Sequence, residues 1–267
     1  VMIINGIQTS TLDANDRAIH YGDGHFTTLL VKNGQPRLWD YHLMRLQAAN
    51  QRLFINPLDW AALTQQVSQQ ASLHSLAVLK VIITRGMGGR GYAPGSDANP
   101  TWIISVHDFP GHYPQWQQTG ITMGVSTLSL GHQPLLAGLK SLNRLEQVLI
   151  KQQAMAMPWD DVLVCDVDGM LVESSAANLF WCRDGQWYTP DLAFCGIEGV
   201  MRNRVLSYFY DINQKVTQVR ARPDILHDAE AVFVCNSLME LVPVREIDGV
   251  SYDITPVLAL QEALCAG

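Results

Sequence analysis

The sequence predicts a mixed α+β chain in two lobes, a smaller N-terminal α/β lobe and a larger C-terminal β-rich lobe with helices. Three observations predict it. Short β-rich runs recur along the chain, several joined by Asn-Gly or Asp-Gly turns. Stretches with apolar residues at three-to-four spacing fall between them. A Pro- and Gly-containing break, Phe109-Pro110-Gly111-His112-Tyr113-Pro114, interrupts the pattern. This break divides the 267 residues into a small domain 1–112, a linker 113–118 and a large domain 119–267.

Taken in order, Asn5-Gly6 and Asn33-Gly34 mark hairpin turns, the second between the run from His25 to Val31 and Pro36-Arg37-Leu38. Asp40 is placed to cap a helix whose Leu43, Leu46, Ala49 and Leu53 share one face. Asn56-Pro57 opens a second helix, because proline is tolerated at a helix start. Leu76–Thr84 and Trp102–Val106 read as strands. Beyond the break come a strand at Ile121–Val125 and an amphipathic helix at Arg144–Ala156. Asp161–Asp166 and Met170–Glu173 are strands joined at Asp168-Gly169, and Asn178–Cys182 and Gln186–Thr189 are strands joined at Asp184-Gly185. A helix at Val200–Tyr210, strands near Val216–Val219, Ala231–Cys235 and Leu241–Val244, and a helix at Pro256–Leu264 complete the chain.

Composition removes several functions. A formal net charge of −7 opposes coating of nucleic acid or an anionic membrane. No stretch approaches the ~20 apolar residues that span a bilayer, and the N-terminus has no basic, then apolar, leader. The five cysteines have no metal-clip spacing and read as reduced, buried thiols of a cytoplasmic protein. No HExxH pair is present, so no metal site is expected.

Gly86-Met87-Gly88-Gly89-Arg90-Gly91 fits GxGxxG, but Tyr92-Ala93-Pro94-Gly95 follows where a dinucleotide loop needs a helix. It reads as a glycine-rich loop between strands, with Arg90 at its tip suited to a carboxylate. Lys140 lies in an apolar surround, Leu135-Leu136-Ala137-Gly138-Leu139-Lys140-Ser141-Leu142. Desolvation frees a lysine amine as base or nucleophile. Lys80 has similar neighbours, and an apolar-flanked lysine ordinarily snorkels to water. Glu173 closes an apolar strand, where a carboxylate suits a pyridinium nitrogen. His42 and Arg45 share a helix face, and the arginine fork suits phosphate. Gly199-Val200-Met201-Arg202 opens a helix whose free amides suit an anion, and Ser237 follows a strand and offers a hydroxyl.

The order of these residues resembles the fold-type IV pyridoxal 5'-phosphate (PLP) enzymes, the group of D-amino-acid aminotransferases, branched-chain aminotransferases and aminodeoxychorismate lyases. The resemblance spans essentially the whole chain. Its landmarks are Asp16-Arg17, Tyr21-Gly22-Asp23-Gly24, His42-x-x-Arg45-Leu46, Lys140, Glu173, Asn178-Leu179-Phe180, Gly199-Val200-Met201-Arg202 and Pro243-Val244. Within the group the chain is most similar to the lyases, on Gly22-Asp23-Gly24-His25-Phe26-Thr27-Thr28, on Thr84 to Tyr92, and on the long stretch Leu136 to Leu149. D-amino-acid aminotransferases carry Tyr-Glu where this chain has Phe26-Thr27.

The resemblance implies a two-lobed D-amino-acid aminotransferase-like fold, PLP as cofactor, a homodimer, and conversion of 4-amino-4-deoxychorismate to 4-aminobenzoate and pyruvate in folate biosynthesis. It implies that Lys140 holds the cofactor as a Schiff base and then shuttles protons, and that Glu173 pairs with the pyridine nitrogen. Arg45, the Val200 and Met201 amides and Ser237 would hold the phosphate. Many relatives carry Thr at the position of Met201, so here only the backbone contributes. Arg90 is preferred over Arg85 and Arg144 for a substrate carboxylate, and Thr28 is the candidate assisting hydroxyl. The alternatives are an aminotransferase on the same cofactor site, or a non-catalytic PLP-binding protein.

Overall fold

The computed structural model describes residues 2–96 and 98–266, with side chains through residue 264. Two units divide the chain: Val1–Phe109 with Lys140–Asn143, and Pro110–Leu139 with Arg144–Gly267.

The first unit is built from strands β1 (Met2–Ile4) and β2 (Ile7–Gln8), helix α1 (Arg17–Tyr21), strands β3 (Gly24–Lys32) and β4 (Gln35–Pro36), helices α2 (Trp39–Arg52) and α3 (Trp60–Ser72), and strands β5 (Leu76–Thr84) and β6 (Thr101–His107). Its sheet has the order β2-β1-β6-β5-β3-β4 and is antiparallel throughout. Both Asn-Gly turns close hairpins, with Asn5 and Asn33 in the left-handed region before their glycines. One sheet face presents Leu29, Val31, Leu79, Val81, Ile83 and Ile104 to Leu46 of α2 and to Leu63 and Val67 of α3. Each such buried aliphatic contributes about 1.5–3 kcal/mol, so this face fixes the register of β3.

Two helix starts differ from the sequence expectation. Helix α2 begins two residues earlier than a cap at Asp40 would place it, after Leu38 in the left-handed region, and Asp40 sits inside the first turn, where a carboxylate favours the helix dipole. Helix α3 is capped by Asp59, whose carboxylate accepts from the Ala62 amide at 2.9 Å, and not by Asn56. Asn56 instead donates to the Ala98 carbonyl at 2.8 Å.

In the second unit, α4 (Tyr113–Thr119) covers the stretch read as a linker. Proline stands in its first turn, Gly120 ends it, and Tyr113 and Trp116 pack on the core, which turns a sequence break into an ordered helix. Then follow β7 (Ile121–Val125), α5 (Leu145–Ala154), β8 (Asp161–Cys165), β9 (Leu171–Ser174), β10 (Asn178–Arg183), β11 (Gln186–Pro190) and α6 (Val200–Asp211). Strand β12 (Val216–Val219), a 3-10 turn (Pro223–Asp228), β13 (Ala231–Asn236), β14 (Glu240–Ile247), β15 (Val250–Ser251) and α7 (Thr255–Ala266) complete it. The mixed sheet runs β12-β11-β10-β13-β14-β7-β8-β9, with β15 on β14. Leu179, Trp181, Val232, Val234 and Val242 line one buried face, while Phe180 stacks on Phe233 at 4.8 Å on the other. Among the described residues, no helix is long and apolar enough to cross a membrane.

Candidate active site

Strand β3 is two-faced because successive side chains alternate. Phe26 and Thr28 point one way; His25, Thr27 and Leu29, all buried, point the other. The segment carrying Lys140 lies along the start of this strand. The Phe26 amide donates to the Lys140 carbonyl and the Leu142 amide to the Gly24 carbonyl, each at 3.0 Å, with Ser141 bridged to His25. Gly24 permits the approach: a Cβ there would lie 2.4 Å from the Ile83 carbonyl oxygen and 2.9 Å from Leu142. Backbone bonds on both sides therefore fix the lysine, and its Nζ lies over the Phe26 ring at 4.6 Å from the centroid. A second amine, Lys80 Nζ, lies 4.8 Å from the same centroid. Lys80 faces Thr28 directly across the β3–β5 ladder.

On the opposite face of β3, α2 supplies a polar cluster. Arg45 Nη2 donates to the Thr27 hydroxyl, which also meets His42 Nδ1 at 2.6 Å. Beside it, His25 Nε2 meets Asn50 Oδ1 at 2.6 Å. Burial, with the Arg45 charge opposing protonation too, holds His42 well below the ordinary histidine range. Burial also lowers His25 to about 4, against the Asn50 hydrogen bond, which pulls it up. Both rings are thus neutral at pH 7. The Arg45 Nε is buried and has no hydrogen-bond partner among the described residues.

Arg90 is exposed on the loop between β5 and β6. Its amide donates to the Ala93 carbonyl at 3.0 Å, and the Ala93 amide donates back at 3.2 Å. Arg17 braces this loop by donating to the Gly91 carbonyl at 3.0 Å and the Tyr92 carbonyl at 3.2 Å. Asp23 receives Arg17 Nε at 2.8 Å and Arg85 Nε at 2.7 Å. Arg85 also donates to the Phe54 and Leu53 carbonyls at 2.7 and 2.8 Å, so its guanidinium is committed to the fold.

The second unit holds the remaining candidates. Glu173, buried on β9, accepts from the Ile197 amide at 2.9 Å through Oε2. The Ile197 carbonyl accepts from Asn178 at 2.8 Å. Residue 197 also bridges Gly138, two positions before the lysine along the chain. Gly199 precedes α6 without a side-chain cap, and a Cβ there would lie 2.1 Å from Asn178 Oδ1 and force that side chain to shift. The first helical amides, Val200 and Met201, therefore receive no side-chain oxygen from the capping position. Ser237 sits in the turn after β13, a turn that Asn236 braces by accepting from the Leu238 and Met239 amides at 2.9 Å each. Arg144 is half-buried before α5; burial lowers its pKa, while Glu173 and Glu146 pull it back up.

The four cysteines with described side chains are buried and free, and Cys265 lies outside the described side chains. Burial raises the Cys165 and Cys182 thiols to about 11, so neither is a nucleophile at pH 7. His132, Asp166 and Asp168 bring their ligand atoms within 4.8 Å of one another, but Arg220 bridges both carboxylates at 3.0 and 3.1 Å and supplies the counter-charge.

Lys140, Phe26 and Thr28 thus stand on one side of β3, with Arg45 behind the same strand. Glu173, the α6 start and Ser237 belong to the second unit. Lys80 and Thr27 were missed as site residues. Only strand pairing reveals that Lys80 faces Thr28, and only alternation sends Thr27 toward Arg45.

The family profile Amino-transferase class IV matches residues 24–247. An aminodeoxychorismate lyase of Vibrio harveyi is 38% identical over 244 residues, covering 91% of this chain and 90% of that protein. The crystal structure of 4-amino-4-deoxychorismate lyase from Pseudomonas aeruginosa matches with a TM-score of 0.94 and 37% identity, covering 100% of this chain and 98% of that one. A hypothetical aminotransferase from Mycobacterium tuberculosis, solved in a PLP-bound form, shares the fold at a TM-score of 0.82 and 19% identity, covering 97% and 93%. With the profile spanning most of the chain and the Vibrio relative matching nearly end to end, the chain belongs to the amino-transferase class IV family.

Proposed function

We infer that this chain is a PLP-dependent lyase that converts 4-amino-4-deoxychorismate to 4-aminobenzoate and pyruvate. The observation that carries the reading is the pair of amines on the Phe26 ring, Lys140 at 4.6 Å and Lys80 at 4.8 Å. One amine serves the chemistry, and the other supplies positive charge to an acidic substrate. Phe26 has no hydroxyl to offer an amino-acid carboxylate, which sets the pocket apart from one built around tyrosine.

The residues present fit PLP. Lys140 would hold it covalently through Nζ. The buried, unpartnered Nε of Arg45 suits the phosphate, as do the uncapped Val200 and Met201 amides and the Ser237 hydroxyl. Glu173 would pair with the ring nitrogen, its carboxylate already oriented by the Ile197 amide. When bound, PLP supplies an electron sink beside the substrate carbon that bears nitrogen.

The chain's own groups then move protons. Lys140 Nζ takes the proton from that carbon, and the departing enolpyruvyl group receives one from Lys140 or from the Thr28 hydroxyl. Loss of the group leaves an aromatic ring, which drives the elimination forward. Arg90 and Lys80 would receive the two substrate carboxylates.

A second copy of the chain is the proposed partner. Helix α5 buries Ile150 and Ala154, yet it also exposes Leu145 (78%), Val148 (60%) and Leu149 (61%) on its other side, a pattern that suits an interface. The acidic charge and the buried free thiols support action in the cytoplasm on a small molecule.

Lys140→Ala tests the assignment. It should abolish the visible absorbance of the lysine-bound cofactor and all release of 4-aminobenzoate. An unchanged spectrum in that variant would overturn it.

A further inference from the structure

Arginine carries five N–H donors on a long side chain, and fixing that chain in one rotamer costs entropy that binding otherwise pays. In this chain the cost is met on folding. Arg45 Nη2 is tied to the Thr27 hydroxyl, and that hydroxyl is tied to His42 Nδ1 at 2.6 Å. Thr27 and His42 are both wholly buried. Because the hydroxyl oxygen already accepts from a guanidinium, its own proton is best given to the histidine. The neutral ring then accepts at Nδ1 and carries its proton on Nε2. Thr27 is thus donor and acceptor at once, and the chain of bonds runs from Arg45 through Thr27 to a neutral ring.

Two observations set this cluster apart from ordinary core satisfaction. The Arg45 Nε and the His42 Nε2 are buried with no hydrogen-bond partner among the described residues, although the same two side chains are tightly bound elsewhere. A buried arginine that is clamped at one nitrogen and unpartnered at another is arranged to receive an anion. Among the described residues no carboxylate bonds to the cluster, and its rings are neutral, so the guanidinium charge is not cancelled in place.

We propose that Thr27 and His42 are positioning residues that pre-set Arg45 as the clamp for the cofactor phosphate, through the Arg45–Thr27–His42 chain of hydrogen bonds. The proposal rests on the reading of Arg45 as a phosphate ligand. It also explains why two adjacent threonines on β3 are not equivalent. Thr28 shares the side of the strand that carries the lysine amine, whereas Thr27 serves the arginine behind it.

The test compares binding of PLP with binding of pyridoxal, which lacks the phosphate, by titrating the full chain freed of cofactor. Thr27→Val keeps shape and removes the hydroxyl. It should weaken PLP by about tenfold, the scale of one hydrogen bond to a charged group, and leave pyridoxal unchanged. Thr27→Ser should restore wild-type PLP affinity, and the melting temperature of the cofactor-free protein guards against a general fold effect. If the valine variant does not fold, His42→Asn takes its place with the same expectation. Equal weakening of PLP and pyridoxal, or wild-type PLP affinity in the valine variant, overturns the proposal. Arg45→Ala separates the two levels. If it shows no phosphate-selective loss, the reading of Arg45 fails. If it shows that loss while Thr27→Val does not, only the positioning role fails.

Discussion

At Glu173 the sequence offered a carboxylate at a strand end, and the structure gives it a reason to be buried. The Ile197 amide donates to Oε2 at 2.9 Å, which helps to fix the plane of the group. Glu173→Gln keeps an acceptor for that amide, so the fold and bound cofactor should persist. Turnover should fall by about 10–100-fold, the scale of a charge-assisted bond worth about 1.5–3 kcal/mol. Wild-type turnover in this variant, read from 4-aminobenzoate release, would remove Glu173 from the mechanism. Lys140 and Glu173 stood out in the sequence as candidates because their neighbours are apolar and their order along the chain resembles that of a known family. Lys80 was not, since its apolar run is indistinguishable from that of any buried strand until the register with Thr28 is known.

Among elements, β3 and the glycine-rich loop do most to place the site. The strand was legible from its β-branched and aromatic run, but its two-sidedness follows from packing under α2 and α3. The loop was correctly read as a connection between strands. Its brace joins Arg85 to Asp23 and Arg17 to the loop carbonyls, contacts more than 60 residues apart in sequence that leave no local signal. Burial raises the Asp23 carboxyl, but hydrogen bonds and charge from Arg85 and Arg17 outweigh it and hold the group below its ordinary 3.8. A depressed folded-state value means stability that is present above the unfolded pKa and lost as pH falls through the folded one. Asp23→Asn should therefore destabilise the protein by about 3 kcal/mol at pH 7, as for a broken buried pair. The deficit should shrink toward pH 3 in urea unfolding, and a deficit independent of pH would contradict the ion-pair account. The helix starts at Leu38 and Asp59 escaped sequence reading because a left-handed leucine cap has no residue signature, and because Asn56-Pro57 mimics a start.

For the whole molecule, the sequence break near residue 110 marks the unit boundary, but nothing in the sequence shows that Lys140–Asn143 joins the first unit while the chain on either side belongs to the second. That crossing rests on backbone pairing with β3, which is set by tertiary structure and not by propensity. Helix α5 likewise reads as an amphipathic helix, and its second apolar side became visible only once Ile150 and Ala154 were found buried opposite it. The proposed pairing of two copies through this face predicts a dimer in sedimentation that Leu149→Lys shifts toward monomer, with little loss of monomer stability because Leu149 is 61% exposed. A wild-type sedimentation profile in that variant would contradict an interface on this face of α5.

The most direct test of the central claim is to supply the PLP-loaded protein with 4-amino-4-deoxychorismate and measure 4-aminobenzoate and pyruvate in the same reaction. Equal release of both, abolished by Lys140→Ala, is the predicted result. Neither product, with steady conversion of amino acids to 2-oxo acids instead, would contradict the lyase assignment and leave an aminotransferase built on the same lysine.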